Sequence, residues 1–139
     1  MIVVDASVAY ALLDERDAGH DAARSWYDRP HRDLLTTPLV LAEVDHLAAA
    51  RLGRAARSAF LGDIDRGGYY VAWWSSAVAD SVRIAQRYLD LGVSLTDASL
   101  VALAARLETT SIATFDERHF RAIQPLTGEP AFTLLPGDA

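Results

Sequence analysis

Four acidic residues stand where a fold could bring them together. Asp5 closes the apolar, β-branched run Ile2 to Val4, and Asp116 follows a second such run that ends at Thr114. Asp97 lies in the first turn of a helix introduced by the polar stretch Ser94-Leu95-Thr96. Glu43 sits inside a helix among Leu41, Ala42 and Val44, an apolar setting in which a carboxylate needs a reason. Taken singly, each has a plain structural account. Aspartates form turns at strand ends, an acid at a helix start gains about 0.3–1 kcal/mol from the helix dipole, and a glutamate can reach out to solvent. Taken together they are costly, because grouped like charges repel and raise one another's pKa, and a cation between them removes that cost. Oxygen ligation of this kind favours Mg2+ or Mn2+ over zinc, as one or two ions. Two ions about 3.5–4 Å apart bracket a phosphate, so the chemistry expected is hydrolysis of a phosphodiester without a side-chain nucleophile. Ser7 and Thr114, each within two residues of an acid, could hydrogen-bond a ligand carboxylate or a metal-bound water, or serve as plain caps.

The elements that must position these groups alternate along the chain. Ile2 to Asp5 reads as a buried strand, Ser7 to Leu13 and His20 to Tyr27 as helices, and Leu34 to Thr37 as a strand stopped by Pro38. Thr37 and Pro38 start a helix that runs to Leu52; Gly53 separates it from a second, Arg54 to Ile64. Gly67 and Gly68 turn the chain into an aromatic strand, Tyr69 to Trp74. Ala77 to Leu91 is the clearest amphipathic helix, with Val78, Val82, Ala85 and Leu89 on one stripe, and Thr96 caps another, Asp97 to Leu107. A strand at Thr110 to Thr114, a helical turn at Glu117 to Ala122 and a last strand at Ala131 to Leu135 complete the pattern. Such alternation predicts a parallel sheet with helices on both faces and right-handed crossovers. In sheets of that kind the functional crevice lies beyond the carboxyl ends of the strands, where Asp5 and Asp116 are placed.

Composition narrows the field further. The 139 residues suit one domain, 1–139, without repeats or a linker, and at this length folding buries roughly 68% of the chain's surface. No apolar stretch is long enough to cross a bilayer and the start has no basic leader, so a cytoplasmic protein with no membrane segment is expected. The absence of cysteine removes disulfides, thiolate metal sites and cysteine nucleophiles. All 13 basic residues are arginine, so mechanisms built on a lysine, phosphate-loop hydrolases among them, are excluded. A net charge of -6 argues against a broad basic nucleic-acid surface but not against a nuclease, whose metal-binding carboxylates count as negative.

The opening IVVDASVAYALL, the acid in PLVLAEV, the helix start SLTDASLVALA and the strand and turn ATFDERHF together resemble the PIN-domain family, most closely its VapC-type toxins. Each motif is short, but their order and spacing extend from Asp5 to Phe120. The resemblance implies a three-layer α/β/α fold around a mostly parallel sheet of four to five strands. It implies a metal-dependent endoribonuclease whose acidic quartet is Asp5, Glu43, Asp97 and Asp116, with Ser7 and Thr114 beside them. It also implies an RNA substrate, a homodimer and a small antitoxin protein of the VapB type.

Other residues have competing accounts. Arg51, Arg54 and Arg57 could grip phosphates or form a solvated helix face. His46 reads as a surface residue, and His119 as a residue that caps or packs the turn after Asp116. Trp73 and Trp74 would point to opposite faces of a strand, so at most one could serve any single surface, and packing is the better account. Asp45, Asp80 and Asp90 read as solvated helix acids. An aspartyl phosphatase of the haloacid dehalogenase type needs an acid where Ser7 stands, and both it and a receiver domain need a lysine. The remaining rival is a PIN-like module that binds RNA or a protein partner without cleaving.

Overall fold

A computed structural model describes residues 1–139. Its elements run β1 (Ile2–Val4), α1 (Ala6–Leu13), α2 (His20–Tyr27), β2 (Leu34–Thr36), α3 (Pro38–Arg51), α4 (Arg54–Asp65), β3 (Tyr70–Val71), α5 (Ala77–Arg87), α6 (Leu95–Arg106), β4 (Ser111–Ala113), α7 (Glu117–Phe120) and β5 (Thr133–Leu135). The five strands form one sheet in the order β3-β2-β1-β4-β5. Every pairing is parallel, with Val3 beside both Leu35 and Ile112. The sheet is therefore wholly parallel, a sharper result than the mostly parallel one expected.

This strand order explains where a site can form. From β1 the chain moves outward through β2 to β3, then returns across the sheet to β4 on the other side of β1. Right-handed crossovers put the helices of the outward path on one face and α5 and α6 on the other. The reversal of direction at β1 and β4 opens a crevice beyond their carboxyl ends. Ile2, Val3 and Val4 on β1, Ile112 on β4 and Leu100, Val101 and Leu103 on α6 are buried in one cluster of 27 core residues, so the floor under that crevice is rigid.

The helix from Ala77 differs from expectation in two respects. It ends at Arg87, and a separate 3-10 turn, Leu89–Leu91, follows, closed by Gly92 in the left-handed region at φ 76°. Three of the four residues of its predicted stripe also face outward, and only Ala85 packs against the core. Val78, Val82 and Leu89 are 57%, 37% and 71% exposed, whereas Ala77, Ser81 and Ile84 are buried. The inward face combines the small Ala77 and Ser81 with Ile84, α5 packs against α6, and the Ser81 hydroxyl is satisfied by the Ala77 carbonyl at 2.7 Å. Val78→Gln is therefore expected to change stability by less than about 0.5 kcal/mol. Ile84→Val, which opens a gap under the helix, should cost about 0.5–1.5 kcal/mol, and urea unfolding midpoints of the two variants check the contrast.

Two smaller expectations also change. The aromatic strand shrinks to Tyr70–Val71, because beyond it Trp74 leaves the sheet and gives its indole N–H to Asp80 at 2.9 Å. Helix α6 begins at Leu95, and its cap is Ser94, whose hydroxyl accepts the Asp97 N–H at 3.0 Å, rather than Thr96. Thr37 does precede α3, but its hydroxyl is turned away from that helix to Ser99, at 2.9 Å.

Candidate active site

Asp5 is the best-anchored acid of the chain. It follows β1 directly and is 4% exposed. One of its oxygens, Oδ2, accepts the hydroxyls of Ser7 at 2.7 Å and Thr114 at 2.8 Å. Those hydroxyls in turn accept backbone N–H groups, Ser7 from Phe115 at 2.9 Å and Thr114 from Asp116 at 2.9 Å. The two hydroxyls thus tie the end of β1 to the turn after β4 while holding the Asp5 carboxylate in one orientation. The second oxygen, Oδ1, receives no such bond. Since no fully buried side-chain oxygen or nitrogen lacks a partner, Oδ1 is open to the crevice.

Asp97 enters from α6 and Asp116 from the turn into α7. The Asp97 side chain is 13% exposed. Its carboxyl is pushed up to about 6, first by burial and then by the charges of Asp5 and Asp116, with His119 and the Ser94 bond opposing. Asp116 caps α7, accepting the His119 N–H at 3.1 Å. Ser94→Ala removes the bond that fixes the first turn of α6, and about 1 kcal/mol of thermal stability should go with it; a scan of the variant beside the parent measures this.

His119 does more than pack the turn. Its Nδ1 lies 2.8 Å from Asp116 Oδ2 and 3.4 Å from Asp97 Oδ2, and its Nε2 lies 3.2 Å from the Leu91 carbonyl. A carbonyl only accepts, so Nε2 carries a hydrogen. Nδ1 also faces an acceptor, the Asp116 carboxylate, so the bond that holds Asp116 needs a hydrogen on Nδ1; only with a cation between ring and acids would Nδ1 offer its lone pair instead. Ligand atoms of Asp97, Asp116 and His119 all lie within 4.8 Å of one another. The spacing of His119 from Asp116, one turn apart in a short helix, was the available signal for this residue.

Glu43 lines the same cleft from α3. The residue is exposed overall, so its setting is less apolar than its neighbours in sequence imply. Its carboxyl is nonetheless raised, by burial first and by Asp5 second. The cleft is about 710 Å³ and contains Asp5, Ser7, Glu43, Asp97 and Asp116 together. Thr114, 2% exposed, stands behind the cleft and bears on it through Asp5, Ser7 and Asp116. The donor set fits a hard divalent cation: an open Asp5 oxygen, a carboxyl raised by its acidic neighbours, and a carboxylate beside an imidazole.

The remaining polar residues separate cleanly. Arg57 is paired with Asp45 at 2.7 Å, and Arg54 lies in a hollow away from the acids, but Arg51 lines the cleft. His46 is exposed. Asp80 is not merely solvated, because Trp74, Ser76 and Arg83 all donate to it. A second groove, between α5 and α6, is of similar size, about 750 Å³, but gathers no cluster of acids, and its Arg106 is stacked 5.3 Å from the Trp74 ring.

Comparison with known proteins identifies the family and the fold. Residues 2–124 match the family model of the PIN domain. Over 136 residues the chain is 34% identical to Ribonuclease VapC26 of Mycobacterium tuberculosis, covering 97% of this chain and 100% of that protein. The crystal structure of Mycobacterium tuberculosis VapC20, described as a Sarcin-Ricin loop cleaving toxin, superposes with a TM-score of 0.78 at 23% identity, covering 84% of this chain and 90% of that one. FitAcB from Neisseria gonorrhoeae has a similar fold, with a TM-score of 0.61 at 18% identity over 84% of this chain and 88% of the other. No helix is long and apolar enough to cross a membrane.

Proposed function

The chain belongs to the PIN-domain family, and on that footing we propose that it is a metal-dependent endoribonuclease, the toxin of a toxin–antitoxin pair. The observation that carries the reading is the meeting of Asp5, Asp97 and Asp116 at the crevice, with the Asp97 carboxyl pushed up to about 6 by that company. Asp5, Glu43, Asp97 and Asp116 are the groups proposed to hold Mg2+ or Mn2+, as one or two ions, and His119 stands among them. Such a cation supplies Lewis acidity, lowering the pKa of water and offsetting charge that gathers on a phosphate.

The protein's own groups have distinct tasks in this reading. Ser7 and Thr114 occupy Asp5 Oδ2 and so direct Oδ1 into the cleft. Ser94 holds the first turn of α6 and with it Asp97, and His119 holds Asp116. Glu43, with its raised carboxyl, is the group suited to take a proton from water at a carboxylate oxygen. The continuous core supports action as a single domain, 1–139. The likeness to a VapC ribonuclease supports a small antitoxin of the VapB type as partner, and the exposed apolar residues Val78, Val82 and Leu89 are what a second copy or such a partner would cover.

The deciding experiment incubates the purified protein, freed of any co-purified antitoxin, with total bacterial RNA in Mg2+, Mn2+ or chelator. Discrete fragments that need metal are expected. Intact RNA in every lane at high protein would leave instead a PIN-like module that binds without cleaving.

A further inference from the structure

Two side chains that line the cleft are unused by the acid chemistry, and both are held in place. Phe115, between Thr114 and Asp116, is 37% exposed, and its backbone N–H is fixed by the Ser7 hydroxyl at 2.9 Å. Its ring lies on Gly19. A β-carbon at Gly19 would stand 2.6 Å from Phe115 Cε2, although the Gly19 backbone, at φ -91°, is one that any residue adopts. The missing side chain at Gly19 therefore serves the ring rather than the turn. An aromatic ring half open to solvent, seated against a glycine and bonded through the site's own serine, is a built platform rather than a stray apolar residue.

Arg51 is the only basic side chain that lines this cleft. Its guanidinium lies 5.5 Å from the centre of the Tyr10 ring, and the Tyr10 hydroxyl is bonded to Asp14 at 2.7 Å, so the cation is steadied by a face and a nearby carboxylate. A polyanion entering a cleft lined by five acids, Asp17 as well as the quartet, needs a fixed cation as well as any metal. An aromatic platform beside a phosphate-binding arginine suits a strand whose bases are free to stack, and paired bases offer no free face.

Resting on the ribonuclease reading, we infer that Phe115 and Arg51 form a grip for single-stranded RNA, with a base stacked on the Phe115 ring and a backbone phosphate on the Arg51 guanidinium.

The test measures anisotropy of a fluorescein-labelled single-stranded RNA dodecamer of mixed sequence, alone and annealed to its complement, with Ca2+ in place of Mg2+. The single strand should bind more tightly than the duplex. Phe115→Ala should weaken single-strand binding about tenfold to a hundredfold, and Phe115→Trp should keep it. Gly19→Ala, which displaces the ring without touching an acid, should weaken it in the same direction. Arg51→Ala should weaken binding and reduce the slope of log affinity against log salt by about 0.7, the loss of one phosphate contact. Each variant should keep the parent's rise in melting temperature with Mn2+, so that the acids are seen to be intact.

Variants that bind within twofold of the parent, or duplex bound as tightly as single strand, would overturn the grip. Cleavage of total RNA by the unsubstituted protein is read in parallel. Where it cleaves and the variants bind normally, the grip falls and the ribonuclease stands; where it neither binds nor cleaves RNA, both fall together.

Discussion

Asp5→Asn is expected to lower metal-dependent RNA cleavage by about a thousandfold or more and, in the same protein, to raise the melting temperature measured without metal. The first effect follows from the bonds around the side chain. Ser7 and Thr114 both donate to Oδ2, so the asparagine must present its carbonyl oxygen to them and turn its NH2 group into the cleft. A donor then stands where an anionic oxygen stood, facing the place a cation would take. A thousandfold loss corresponds to about 4 kcal/mol, within the several kcal/mol that a metal supplies to a charged transition state. The second effect follows from repulsion. Asp5 contributes to raising the carboxyls of both Asp97 and Glu43, so its neutral replacement relieves both, by on the order of 1 kcal/mol. For a chain of 139 residues that is roughly 3–5 °C. Opposite movement of the two readouts separates this account from misfolding, which would depress both. A variant that cleaves RNA at the parent's rate would remove Asp5 from the chemistry.

The sequence made the acidic positions and the sheet legible for one reason: both are written in local pattern. A β-branched run that ends in an acid marks a strand end, and alternation with helices marks a parallel sheet, so Asp5 and Asp116 could be placed at one edge before any coordinates existed. What local pattern does not carry is which face of an element meets which neighbour. The stripe Val78, Val82 and Leu89 has the period of a buried helix face, yet the residues of α5 that the fold buries are Ala77, Ser81 and Ile84, of which one is small and one polar. The same limit hid the settings of His119 and Phe115 and left Arg51 between a phosphate grip and a solvated helix face. Each reaches the cleft by the meeting of elements distant in sequence: the His119 ring spans from α7 to the Leu91 carbonyl, Arg51 rests on Tyr10 of α1, and Phe115 lies on Gly19. Glu43 was singled out by its apolar chain neighbours and then by its motif, and its exposure agrees with the plain account of a glutamate that reaches solvent, because chain neighbours on a helix point in other directions.

The pH dependence of the metal-free protein should run contrary to that of an ordinary salt-bridged acid, and Asp97 is the reason. Its carboxyl titrates near 6 in the folded chain against 3.8 without the fold, raised by burial and then by Asp5 and Asp116. Below 3.8 the group is protonated in both states and carries no penalty. Between 3.8 and 6 the unfolded chain gives up its proton while the folded one keeps it, so stability falls as pH rises; above 6 the penalty is complete. The full difference is on the order of 3 kcal/mol, and because the side chain is 13% exposed, solvent screens little of it. A cation bound to the ionised acid reverses the trend. At a hundredfold excess over its dissociation constant it returns about 2.7 kcal/mol, and its affinity should rise with pH up to about 6 as proton competition ends. Thermal unfolding from about pH 4.5 to 7.5, with and without MnCl2, beside Asp97→Asn, isolates this group. The parent should lose stability relative to Asp97→Asn as the metal-free pH rises and regain it with Mn2+, while the variant responds to neither as strongly. Parallel curves for the two proteins, with no response to Mn2+, would mean that these carboxylates do not share a site, and the proposed chemistry would lose its foundation.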